Sequence, residues 1–205
     1  MNFEHVYEKG SSPITVLALH GTGGNEHDLV PMVKMVAPNA GVLSPRGKIS
    51  ENGSLRFFRR IAEGVFDIED LKFRTHELAD FVVEAAREYG FDSSQVYALG
   101  FSNGANIASS LLFLRPEILA GGAILRGMVP FDMDKGELEK LPDLTGKKVF
   151  LANGTRDPMV PLENAKKLAM MYKNAGATVT HELNPASHGL IQSDLQSMKH
   201  WFAAL

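Results

Sequence analysis

The 205-residue chain has no cysteine, which removes disulfides, thiolate metal sites and cysteine nucleophiles from consideration. It also lacks a block of lysine and arginine, and with a net charge of -3 it offers no electrostatic footprint for nucleic acid. Its one local basic cluster, Arg56, Arg59 and Arg60, reads as a solvated or loop-anchoring patch rather than an anion site. Long apolar runs are missing too. The first run, Ile14 to Leu19, is too short for a signal-peptide core or a membrane span, so the expectation is a soluble cytoplasmic protein. Repeats, low-complexity segments and linkers are equally absent, and this length suits one α/β domain, residues 1–205.

What is present alternates between two kinds of pattern. Ile14–Leu19, Gly41–Ser44, Val96–Gly100, Gly122–Leu125 and Lys147–Ala152 are short apolar runs, as expected of strands buried on both faces. Residues 3–8 read as an edge strand and Ala177–Leu183 as an alternating strand. Between them lie helical faces. The first is capped at Asn25 and runs through Leu29, Met32, Val33 and Val36. The second starts around Phe73 and stops at Gly90, and the third follows Ser102. A fourth begins at Pro161, and the last carries Ile191, Leu195, Met198 and Phe202. Strands alternating with helices predict a mostly parallel central sheet with helices on both faces. From Pro45 to about Glu69 no periodicity is clear, and a segment that long reads as a functional loop.

The stretch Leu99-Gly100-Phe101-Ser102-Asn103-Gly104 places G-x-S-x-G where a strand turns sharply into a helix. Small residues two before and two after the serine permit so tight a bend, and the bend lifts the hydroxyl to the helix N-terminus. Ligand-binding groups of such sheets gather in loops beyond the carboxyl ends of the strands. Four of those loops carry Thr22, Ser102, Asp157 and His188. A serine hydroxyl needs a base to remove its proton, and imidazole titrates near neutrality. A carboxylate behind the imidazole fixes its tautomer. Each residue alone has a bland role, since Asp157 precedes a proline as turn residues do and Ser102 stands in a glycine turn. Together, in the order serine, aspartate, histidine, they predict a triad, with the backbone N–H groups of Thr22 and Asn103 as an oxyanion hole. No spacing of histidines and acids matches a metal site, and no cofactor is called for. His20 is expected to orient backbone in its glycine loop.

The runs His20-Gly21-Thr22-Gly23-Gly24-Asn25-Glu26-His27-Asp28-Leu29, Asp157-Pro158-Met159-Val160-Pro161 and Ser187-His188-Gly189, with the serine turn, make this chain resemble the phospholipase/carboxylesterase family. The likeness covers nearly the whole chain from about Ile14, and it is nearest to a branch of small bacterial carboxylesterases, some linked to quinone stress. It implies an α/β-hydrolase fold, Ser102, Asp157 and His188 as nucleophile, acid and base, and an oxyanion hole at Thr22 and Asn103. The acyl-protein thioesterases of this family usually carry leucine in place of Thr22, which leaves the backbone donor unchanged but sets this chain apart. The interval Arg126 to Gly146 is too short for a cap domain. An open, shallow and apolar cleft is therefore expected, walled by the 45–69 segment with Phe57, Phe58 and Phe66, and by Met128, Val129 and Met159. Core packing is the competing role for the phenylalanines. Arg126 would either receive a substrate carboxylate or join a structural ion pair. The reading is a serine carboxylesterase for small or short-chain esters. A thioesterase or lysophospholipase with the same triad, and a non-catalytic binding protein on this scaffold, are the alternatives. The partner expected is a small-molecule ester, with neither nucleic acid nor membrane, and the resemblance makes a homodimer the assembly to test.

Overall fold

A computed structural model describes residues 1–205. In chain order it has β1 (His5–Glu8), β2 (Thr15–Leu19), α1 (Val30–Val36), β3 (Gly41–Pro45), β4 (Ile49–Glu51) and β5 (Ser54–Arg56). Then come β6 (Arg60–Ala62), β7 (Val65–Phe66), α2 (Ile68–Tyr89), β8 (Val96–Phe101) and α3 (Asn103–Leu114). The chain ends with β9 (Gly121–Leu125), β10 (Lys148–Gly154), α4 (Leu162–Asn174), β11 (Thr178–Asn184) and α5 (Gln192–Ala203).

Seven strands form one sheet in the order β1-β3-β2-β8-β9-β10-β11. Every pairing is parallel except that of β1 with β3. The central strands are apolar throughout because both of their faces are covered. On β2, Leu17 and Leu19 join one core while Val16 and Ala18 join the other. On β10, Val149 and Leu151 face the first core and Phe150 and Ala152 the second. Helices α2, α3 and α4 bury Leu78, Phe81, Leu111 and Leu168 in the first. Helices α1 and α5 bury Val33, Val36, Met198 and Phe202 in the second. No helix is long and apolar enough to cross a membrane.

Three expectations change. Helix α1 starts at Val30 rather than near Asn25, whose side chain instead accepts from the His27 N–H at 2.9 Å in a preceding turn. The reason is Pro31, which has no N–H to bond back to the carbonyl of His27 and so fits only the first turn. Helix α2 starts at Ile68, not Phe73, because Asp67 caps it by accepting from the N–H of Asp70, and Asp70 and Leu71 are already buried. The 45–69 segment is not irregular. It folds into two antiparallel hairpins, β4–β5 and β6–β7. In the first, Asn52 (φ 51°) and Gly53 (φ 83°) make the two-residue turn between the paired Glu51 and Ser54. Both left-handed conformations are those of the Asn-Gly hairpin turn.

Candidate active site

Ser102 follows β8 at φ 53° and ψ -112°, a strained conformation for a residue with a Cβ. A side chain at Gly100 would collide with the backbone of Gly104, and one at Gly104 with the carbonyl of Leu19. Strand and helix thus meet with no room for either, and the serine is forced out at the bend. The Ser102 N–H donates to the Leu125 carbonyl at 2.9 Å, which anchors the turn to β9.

Asp157 and His188 lie beyond the ends of β10 and β11. His188 Nδ1 is 2.8 Å from Asp157 Oδ2, and His188 Nε2 is 2.9 Å from Ser102 Oγ. The carboxylate can only accept, so Nδ1 carries the hydrogen and Nε2 accepts from the serine hydroxyl. The other carboxylate oxygen, Asp157 Oδ1, accepts from the N–H groups of Met159 at 2.8 Å and Val160 at 3.2 Å. With its side chain fully buried, the aspartate has no freedom to turn away.

The histidine loop is pinned from beneath. Arg126, at φ 56° just past β9, donates through Nη1 to the Ala152 carbonyl and through Nη2 to that of Gly189, next to His188. Its Nη2 also lies 2.5 Å from Asp194 Oδ2, and both side chains of this ion pair are fully buried. Asp194 further accepts from Asn184 Nδ2 at 2.7 Å and from the Ile191 N–H at 3.0 Å, so it ties the end of β11 to the start of α5. Of the two roles open to Arg126, binding a substrate carboxylate or joining a structural ion pair, the structure shows the ion pair. Its guanidinium is turned under the site and committed to Asp194.

Thr22 and Asn103 both line the cleft that holds Ser102. Asn103 opens α3, where backbone N–H groups have no partner within the helix, and the Thr22 N–H donates to no backbone carbonyl. The Thr22 loop is held on both sides. His20 Nδ1 bonds the Gly21 carbonyl at 2.8 Å, and its Nε2 accepts from the Gly47 N–H at 2.9 Å. That pair of bonds requires a neutral ring, and burial lowers the His20 pKa, against the pull of its bond to Gly21. On the other side the first hairpin is stitched to the loop. Gly23 N–H donates to Leu55 O at 2.9 Å, Arg56 Nη1 to Thr22 Oγ1 at 2.6 Å, and Phe57 N–H to Asn103 Oδ1 at 2.7 Å.

A cleft of about 400 Å³ opens over Ser102. Met128, Met159, Val160 and Phe66 are among the residues that line it. Val129 faces an adjoining depression instead. Phe57 and Phe58 are 2% and 0% exposed and belong to the core, which corrects their placement in the wall. Tied to Asn103 by its backbone, Phe57 turns its ring inward against His20. Nor is the lining wholly apolar, for Arg56, Arg60, Asn106 and Glu63 contribute to it. The hairpin strands carry Arg56 and Arg60 to the cleft, which an irregular loop gave no reason to expect.

A profile of the phospholipase/carboxylesterase family matches residues 3–205. The chain belongs to the phospholipase/carboxylesterase family. Its relatives include MhqD of Bacillus subtilis, 42% identical over 199 residues that cover 97% of each chain. Among solved structures, the Bacillus cereus carboxylesterase superposes with a TM-score of 0.94 at 44% identity, covering 99% of this chain and 94% of that one. YahD, described with malic acid, superposes at 0.91 with 32% identity and 98% coverage of both. The sheet and flanking helices are those of an α/β hydrolase, and membership of this carboxylesterase family makes the protein a carboxylic ester hydrolase.

Proposed function

We propose that this family member is a serine carboxylesterase that acts on small or short-chain esters through an acyl-enzyme. The observation that carries the reading is the unbroken hydrogen-bond chain from Ser102 Oγ through His188 to Asp157. Ser102 Oγ attacks the ester carbonyl as His188 Nε2 takes its proton, and Asp157 stabilises the imidazolium that results. The N–H groups of Thr22 and Asn103 receive the negative oxygen of the tetrahedral intermediate. As the intermediate collapses, His188 returns the proton to the leaving alcohol and the acyl group remains on Ser102. Water, deprotonated by the same imidazole, then releases the acid.

The size of the cleft supports small acyl groups. About 400 Å³ accommodates a molecule such as malic acid, named with the related YahD, together with a short alcohol. Wild-type protein should release p-nitrophenol from the acetate and butyrate esters faster than from long-chain esters, and Ser102→Ala should lower turnover by roughly 10⁶. Wild-type turnover in the alanine variant would refute the mechanism. Preference for acyl-CoA or lysolipids over simple esters would favour a thioesterase or lysophospholipase instead.

A further inference from the structure

We propose that Arg56 and Arg60 form an anion subsite in the cleft, so that the preferred ester carries a carboxylate a few bonds from its reacting carbonyl. The proposal rests on the serine-esterase reading above and names the substrate class for it. Arg56 ends β5 and Arg60 begins β6, and both line the cleft over Ser102. A single carboxylate serves the two, since Glu51 lies 2.9 Å from Arg60 Nε and 3.3 Å from Arg56 Nε. Two cations sharing one anion leave positive charge in the wall. Arg59 takes no part, being paired with Asp67 and Asp70 outside the cleft.

The donors left over are specific atoms. Arg60 uses only Nε on Glu51, and neither of its Nη atoms has a protein partner. Arg56 commits Nε to the Phe58 carbonyl at 3.2 Å and Nη1 to Thr22 Oγ1 at 2.6 Å, and its Nη2 is unpartnered. Arg56 is only 4% exposed, so its guanidinium is held in place rather than swept by solvent. Burial depresses its pKa and the charge of Arg60 depresses it further, with Glu51 opposing. An incoming anion would offset the repulsion between the two guanidinium groups. Glu63 also lines the cleft, but it stands exposed near the tip of the second hairpin, where water screens its charge.

Position fixes where that anion would sit relative to the chemistry. Arg56 Nη1 touches the hydroxyl of Thr22, the residue whose N–H faces the reacting oxygen in the mechanism above. A guanidinium offers coplanar donors that suit a carboxylate, and such charge-assisted bonds are about twice as strong as neutral ones. A neutral ester leaves the free donors to water, whereas an anionic one satisfies them.

The test measures kcat/KM for two matched pairs by quantifying the product acid and alcohol. Monoethyl glutarate against ethyl hexanoate places the charge on the acyl side, and 4-acetoxybutanoate against pentyl acetate places it on the alcohol side. The anionic member of at least one pair should be favoured by about tenfold or more. Arg60→Met should lower kcat/KM for that anionic ester at least tenfold more than for its neutral partner. Added salt should shrink the preference of the wild type, an arm that does not depend on any variant folding. Arg115→Gln, a surface change far from the cleft, serves as control. Neutral esters favoured in both pairs, or a preference untouched by Arg60→Met and by salt, would overturn the subsite while leaving the esterase reading intact. Wild-type protein that hydrolyses none of the four esters would instead remove the reading on which the subsite rests.

Discussion

Ser102, Asp157 and His188 stand just past β8, β10 and β11, strands hydrogen-bonded on both sides or packed by helices, while Arg56, Arg60 and Phe66 stand on two short hairpins outside the sheet. Beneath the first group lies a fully buried ion pair, Arg126–Asp194, with every oxygen of the aspartate engaged. The second group ends in exposed tips at Asn52-Gly53 and Glu63-Gly64. The difference teaches a division of labour. Strand ends, fixed by the sheet, hold Ser102, Asp157 and His188 to their distances. The hairpins lie outside the sheet, anchored to the core through Phe57 and Phe58, and their side chains form the wall of the cleft. Three bonds join the two regions, at Gly23–Leu55, Thr22–Arg56 and Asn103–Phe57, so the wall is registered against the Thr22 loop and the start of α3.

The largest effect in that comparison should come from the ion pair under the floor. Arg126→Met strands Asp194 as an unpaired buried charge, and breaking such a pair costs about 3–5 kcal/mol. Urea unfolding should report that loss, and the double variant Arg126→Met/Asp194→Leu should recover part of it. A cost below about 1 kcal/mol for the single variant would mean that the floor is not held in this way.

A smaller effect should follow pH through His20, which joins floor to wall. Burial holds its folded-state pKa below the ordinary 6.5, so the unfolded chain binds the extra proton first as pH falls. Its contribution to stability is therefore complete above pH 6.5 and is lost progressively below it. Melting temperatures from pH 8 to pH 5 should fall more steeply for wild type than for His20→Gln. Parallel curves would contradict the neutral, doubly bonded ring.

The smallest effect should come from the wall itself. Gly53→Ala meets no neighbouring atom, yet it forces a Cβ into a left-handed turn at a cost of about 1 kcal/mol. Stability should change by about that amount, with KM rising and kcat nearly constant. A collapse of kcat would show that the hairpin governs the reacting groups and would erase the distinction between the two regions.

The same division explains what could be read from residues alone. The parallel sheet was legible because Val16 through Leu19 and Val149 through Ala152 are short, continuously apolar runs bounded by loops, as a doubly covered strand requires. Ser102 announced itself through Gly100 and Gly104, whose absent side chains the elbow demands. The hairpins are shorter than any periodicity can register, and their core residues Phe57 and Phe58 resemble wall residues in sequence. One local signal was present in Asn52-Gly53, flanked by Glu51 and Ser54, and it carries the turn chemistry of a hairpin. The partnership of Arg126 with Asp194 had no such signal, for 68 residues separate the two and only the packed sheet brings them together.

The most direct test of the whole account is covalent labelling with a fluorophosphonate, followed by peptide mass spectrometry of wild type and of His188→Ala. One phosphonyl group should appear on Ser102 of the wild type, with the rate of labelling falling by orders of magnitude in the histidine variant. Labelling elsewhere, or at Ser102 with equal speed in both proteins, would contradict an alcohol activated by its neighbouring imidazole.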